Sequence, residues 1–106
     1  MDHSRTRLVR VPFLIPTWAA AQVLWPRTIL VKQGVGLTVG LVAHELTHIE
    51  QLEDRGVLGF WLGYLRLRMR YSYRDHPWEV AAREGANNTG RRAAARRVIA
   101  RHNQSI

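Results

Sequence analysis

The sequence predicts an α+β protein in which short N-terminal strands precede a series of helices. Two observations carry this. A β-branched, apolar run at residues 28–33 (T-I-L-V-K-Q) is closed by Gly34 and Gly36, as a strand is. From Thr38 onward the period changes: Val39, Val42, Leu46 and Ile49 recur at three and four, with Leu41 and Leu52 beside them.

Taken in order, residues 5–15 alternate partly between basic and apolar before Pro12 and Pro16, and read as a short strand or extended arm. The apolar segment from Trp18 to Trp25 reads as a helical turn or helix. The strand Thr28–Lys32 follows, and is expected at a sheet edge where an extended peptide could add to it. Thr38 is a candidate N-cap for a helix over about 39–55, with Gly56 as its C′ stop and Val57 placed to fold back on the last turn. A second helix is predicted over about 58–72, apolar at Phe60, Trp61, Tyr64 and Leu65 and then basic. In Asp75-His76-Pro77, Asp75 or His76 can cap and Pro77 suits the first helical position, so a short helix runs over 77–86 and stops near Asn87-Asn88. Gly90 to His102 reads as a basic, alanine-rich last helix. One domain is expected over 1–106: an arm and apolar segment at 1–27, the strand and helices of 28–86, and a basic C-terminal helix at 90–103.

Composition narrows the function classes. An apolar fraction of 46% fits a folded chain and excludes an intrinsically disordered one. With no Cys there is neither a disulfide framework nor a thiolate metal site, so any transition-metal site must be built from His, Asp and Glu. The start, Met-Asp-His-Ser-Arg, lacks the apolar core of a signal peptide. The most apolar window, 57–65, runs into Arg66, Arg68 and Arg70, so no membrane span is expected and the chain reads as cytoplasmic.

The net charge of +8 comes from fifteen Arg against a single Lys. Arg91, Arg92, Arg96, Arg97 and Arg101 crowd the C-terminus, and Arg66, Arg68, Arg70 and Arg74 form a second group. Such charge suits nucleic acid, an acidic partner or acidic lipid, and equally a solvated face. No base-reading motif is present, and the aromatics do not interleave with the basic residues.

The segment A-H-E-L-T-H-I-E-Q-L at 43–52 carries the chemistry. On a helix, positions four apart lie about 40° apart around the axis, so His44 and His48 project from one face as two imidazoles sharing a metal ion require. Glu45 follows His44 by about 100°, flanking the metal where it can take a proton from a bound water. At this content of His and Glu, an H-E-x-x-H match arises by chance about 0.01 times in a chain this long. Glu50 and Glu53 point away from His48 on an ideal helix and read as solvated, or at most as partners that hold a ligand from outside. The remaining carboxylates are Asp2, Asp54, Asp75, Glu79 and Glu84. Glu79 is the preferred third ligand, on a short helix whose Ala81 and Ala82 permit close approach. Glu84 is the runner-up, and an ordinary Glu79–Arg83 surface pair is the alternative.

H-E-L-T-H followed, one helix later, by the glutamate of H-P-W-E-V-A-A resembles the gluzincin clan of zinc metallopeptidases. The likeness is strongest to its small single-domain members, the minigluzincins, and to short uncharacterised H-E-x-x-H proteins. It covers roughly residues 28–86 and leaves out the N-terminal arm and the basic last helix. It implies a minimal zincin-like domain with an active-site helix and a glutamate helix. It implies one Zn²⁺ per chain on His44, His48 and Glu79, and Glu45 as general base and acid toward a peptide or protein substrate. Larger members place an acidic group a few residues past the glutamate to orient the first histidine, whereas here that zone holds Arg83 and Glu84. Tyr71, Tyr73 and His76, just before the glutamate helix, are the candidate transition-state donors. The resemblance also allows a latent chain whose own terminus covers the cleft. The alternative is an Arg-rich protein that binds nucleic acid or an acidic partner, with zinc kept for structure.

Overall fold

The computed structural model describes residues 3–14 and 19–104. Three strands, β1 (Arg7–Val11), β2 (Ala21–Leu24) and β3 (Thr28–Lys32), lead into three helices, α1 (Val39–Arg70), α2 (Pro77–Gly85) and α3 (Thr89–Gln104). This is the predicted α+β order. β3 lies in the middle of the sheet, parallel to β1 and antiparallel to β2. Register places Leu8, Ile29 and Val23 in one row across the three strands, and all three are buried. Strand side chains alternate between faces, so Val31 joins Ile29 on the inner face while Leu30 and Val9 turn outward. That inner face packs on Val42, Ala43, Leu46 and Ile49 of α1 and on Ala94, Ala95 and Val98 of α3. Removing these apolar side chains from water is the main favourable term holding sheet and helices together.

Two expectations for the N-terminal half fail. Where a helical turn or helix was expected between Trp18 and Trp25, Ala21–Leu24 forms strand β2; Trp18 lies outside the described residues. Ala, Gln and Leu favour helix, but pairing with β3 satisfies this backbone and buries Val23, a non-local gain that outweighs propensity. Consequently β3 is the central strand and not an edge. Of the two edges, β2 packs against α1 and β1 against α3.

Local signals fare better. Thr38 caps α1, its hydroxyl accepting from the Leu41 N–H at 3.0 Å. At Gly56 the backbone leaves the helical region, with φ 76° and ψ 165°, so the two expected helices meet as one element broken at the residue anticipated as a stop. Val57 is exposed and does not fold back, and α1 ends at Arg70 rather than 72. Pro77 sits in the first turn of α2 behind the His76 cap. None of the helices is long and apolar enough to cross a membrane, among the described residues.

Candidate metal centre

α1 supplies two imidazoles. His44 and His48 lie one turn apart on the buried half of the helix, their rings 5.0 Å apart, anchored by the wholly buried Leu46 and Ile49 on the core side. α2 supplies the carboxylate. Its buried positions, Glu79, Ala82 and Gly85, recur at three and form the face that meets α1. Contact is close because both sides are small: a Cβ on Gly85 would collide with the Thr47 hydroxyl. Ala82 is wholly buried there, whereas Ala81 is exposed and contributes nothing to the approach.

The three side chains converge. His48 Nε2 donates to Glu79 Oε1 at 2.9 Å and His44 Nε2 to the same oxygen at 3.3 Å. All three ligand atoms lie within 4.8 Å of one another. Ligands about 2.0–2.1 Å from a tetrahedral ion sit about 3.3 Å apart, so small adjustments around one point let this donor set hold a metal ion. Two imidazole nitrogens and one carboxylate oxygen suit a borderline transition metal better than Ca²⁺ or Mg²⁺. Two histidines four apart on a helix, with a glutamate from a downstream helix, fit a zincin-like site.

Partners outside the triad orient it. Tyr64 donates to Glu79 Oε2 at 2.7 Å, leaving Oε1 to face the histidines. His48 Nδ1 donates to Gln51 Oε1 at 2.9 Å, and the Gln51 amide donates to the Trp78 carbonyl at 3.1 Å, tying the ligand to the first turn of α2. Sequence reasoning missed both residues. Gln51 was detectable as a polar side chain three after His48 on the same face. Tyr64 reads in the sequence as an apolar packing residue, because its partner Glu79 lies 15 residues away.

Burial opposes ionisation of Glu79, but hydrogen bonds from His44, His48 and Tyr64 prevail and hold the carboxyl well below the ordinary carboxylate range. For His48 burial favours the neutral ring, yet the Glu79 bond and the nearby Glu45 carboxylate push it up. Glu45, adjacent and 7% exposed, is pushed up chiefly by burial, against the pull of His48 and His44. Burial, together with the Glu79 and Glu45 carboxylates, pushes the Tyr73 hydroxyl up to about 12.

The remaining candidates separate cleanly. Tyr73 lines a cleft of about 240 Å³ with Glu45, His48, Tyr64 and Glu79, whose other walls are Phe60, Trp61, Arg68 and the β2 residues Ala21 to Val23. Tyr71 is the exposed C-cap of α1 and is not part of that wall. His76 is fully buried: Nδ1 accepts from the Trp78 N–H, Nε2 donates to the Tyr64 carbonyl, and the ring stacks on Tyr64. It therefore positions α2 and does not face the cluster. Glu84 is exposed, and Arg83 donates to the Arg74 carbonyl and not to Glu79. Glu50 and Glu53 do point away from the ligands, but they are ion-paired, to Arg91 and Arg27, rather than solvated. No family model, curated protein or solved structure matches this chain.

Proposed function

We propose that the chain is a zinc metallopeptidase, with Zn²⁺ held by His44, His48 and Glu79 and with Glu45 as general base and acid. The observation that carries this is the convergence of both imidazoles on one Glu79 oxygen at the wall of an apolar cleft, with a further buried carboxylate, Glu45, in the same wall. A structural zinc site is closed by four protein ligands, whereas three ligands plus an adjacent non-ligand glutamate suit a site that keeps one position open. Zinc bound there supplies Lewis acidity, making water more acidic and a carbonyl more electrophilic. Glu45 then accepts the proton of the attacking water and passes it to the leaving amine. Tyr73, the one candidate donor in the cleft wall, is placed to stabilise charge on the carbonyl oxygen. The free edge of β2 borders the cleft, so an extended peptide can add there as a further strand.

The alternative, a basic binding protein, has less support. Of the five C-terminal arginines, Arg91 pairs with Glu50, Arg92 bonds the Ala86 carbonyl and Arg101 bonds the carbonyls of His3 and Thr6. That face is largely consumed in holding the fold.

Protein purified without added metal should carry one zinc per chain, and His44→Ala should lose it. Glu45→Gln should keep the zinc and lose casein cleavage by roughly 100-fold or more. Unchanged cleavage by Glu45→Gln ends the peptidase reading, and absence of metal from the parent chain ends the zinc reading.

A further inference from the structure

Beyond Gly56, α1 carries an apolar stripe that no described residue covers. Leu58, Leu62, Leu65 and Met69 are 72%, 59%, 56% and 90% exposed. Their spacing of four, three and four places them within about 60° of arc on an ideal helix. The stripe points away from the body, because the opposite side of the same turns holds the buried Phe60 and the Glu79-bonded Tyr64. Monomeric proteins seldom leave such a continuous ridge in water without a use for it.

The flanks identify the occupant. Arg66 and Arg70 border the stripe on one side and Arg68 on the other, all exposed and with no ion pair among the described residues. Between Asp54 and Asp75 there is no acidic residue, while Arg74 extends the basic run. A second copy is a poor fit. The stripe has the spacing of a coiled-coil seam, and Arg66 and Arg68 occupy its two flanking rows, so a second copy offers these arginines no carboxylate to pair with. Four side chains on a convex ridge also offer on the order of a few hundred Å², against the roughly 800 Å² per partner of a stable protein interface. A phospholipid surface has no such area requirement. An apolar stripe dips into the acyl boundary while flanking arginines extend to anionic headgroups.

We propose that residues 57–70 of α1 form an interfacial helix that docks the protein on an anionic phospholipid surface through Leu58, Leu62, Leu65 and Met69. Trp61, beside the stripe, also lines the cleft. Docking therefore brings the mouth of the candidate metal centre next to the bilayer surface. The proposal does not depend on the peptidase reading.

Co-sedimentation tests it, using phosphatidylcholine vesicles with or without about one-third phosphatidylserine. The full chain should bind the phosphatidylserine vesicles at least roughly tenfold more tightly than phosphatidylcholine alone, and the difference should shrink with salt. The triple substitution Leu58→Ser, Leu62→Ser, Met69→Ser should abolish binding with the melting temperature retained, since all three positions are exposed. Arg66→Gln with Arg70→Gln should weaken binding roughly tenfold, whereas Arg96→Gln with Arg97→Gln, an equal change of charge on exposed α3 positions, should leave most of it. The proposal falls if the chain ignores phosphatidylserine vesicles at low salt. It falls equally if both arginine pairs matter alike, which is bulk charge attraction. A parent dimer that the triple substitution dissolves would instead assign the stripe to self-association.

Discussion

Glu79 is the residue on which the candidate centre turns, because one carboxylate oxygen serves both histidines while the other is held by Tyr64. A ligand held from outside is pre-aimed, and the fixing partners commonly matter 10–100-fold to metal affinity. Tyr64→Phe is therefore expected to weaken zinc binding by roughly 10–100-fold in a chelator competition. Gln51→Ala should act in the same direction, by freeing the His48 ring and the Trp78 carbonyl together. Tyr71→Phe, at an exposed helix cap, is the control and should change nothing. Equal affinity in all three variants would mean that the triad holds its geometry unaided.

At the scale of elements, the site depends on α2 lying flush against α1. Two glycines permit this: Gly85 meets Thr47, and Gly63 sits where an added Cβ would come 2.6 Å from the Trp78 ring. Trp78 in turn stacks 5.5 Å from Phe60 and lies under the Arg55 guanidinium. Gly85→Ala overpacks this contact and is expected to destabilise the fold by about 1–3 kcal/mol. Thermal denaturation checks it, and Thr47→Ala in the same chain should restore part of the loss by removing the colliding atoms. If Gly85→Ala instead melts at the parent temperature, the helices have room to spare and the close approach is not a constraint. Element identity was well marked wherever the cause was local, as at Thr38, Gly56 and Pro77. It was misread at Ala21–Leu24, where a strand exists only because β3 is there to pair with it.

For the whole molecule, a polar network on the far side of α1 ties the chain ends together. Glu50 accepts a forked pair of bonds from Arg91 of α3 and one from the buried His3, and Arg101 reaches the carbonyls of His3 and Thr6. Burial alone would raise the Glu50 pKa, but the Arg91 and His3 bonds outweigh it and hold the carboxyl below its ordinary value. A depressed folded-state pKa contributes stability that is present above the unfolded value and is lost as pH falls through the folded one. Glu50→Gln should accordingly lower the urea midpoint at pH 7, and the gap to the parent should narrow progressively as pH falls below the ordinary glutamate value of about 4.3. A gap that persists unchanged at low pH would show that packing, not charge, is what Glu50 contributes.

Several features followed from the sequence alone because helical geometry and capping are local physics. Four-residue spacing puts His44 and His48 on one face, Glu45 beside them, and Glu50 and Glu53 elsewhere. The choice between Glu79 and Glu84 is not local in this sense. It depends on which face of α2 is small enough to meet α1, and Ala82 and Gly85 select the face of Glu79. The same holds for Tyr64, whose partner lies 15 residues away, for the bond from Gln51 to Trp78, 27 residues away, and for β2 as the open edge beside the cleft. Contacts between residues distant in sequence leave no period to read, so only the packed chain could decide them.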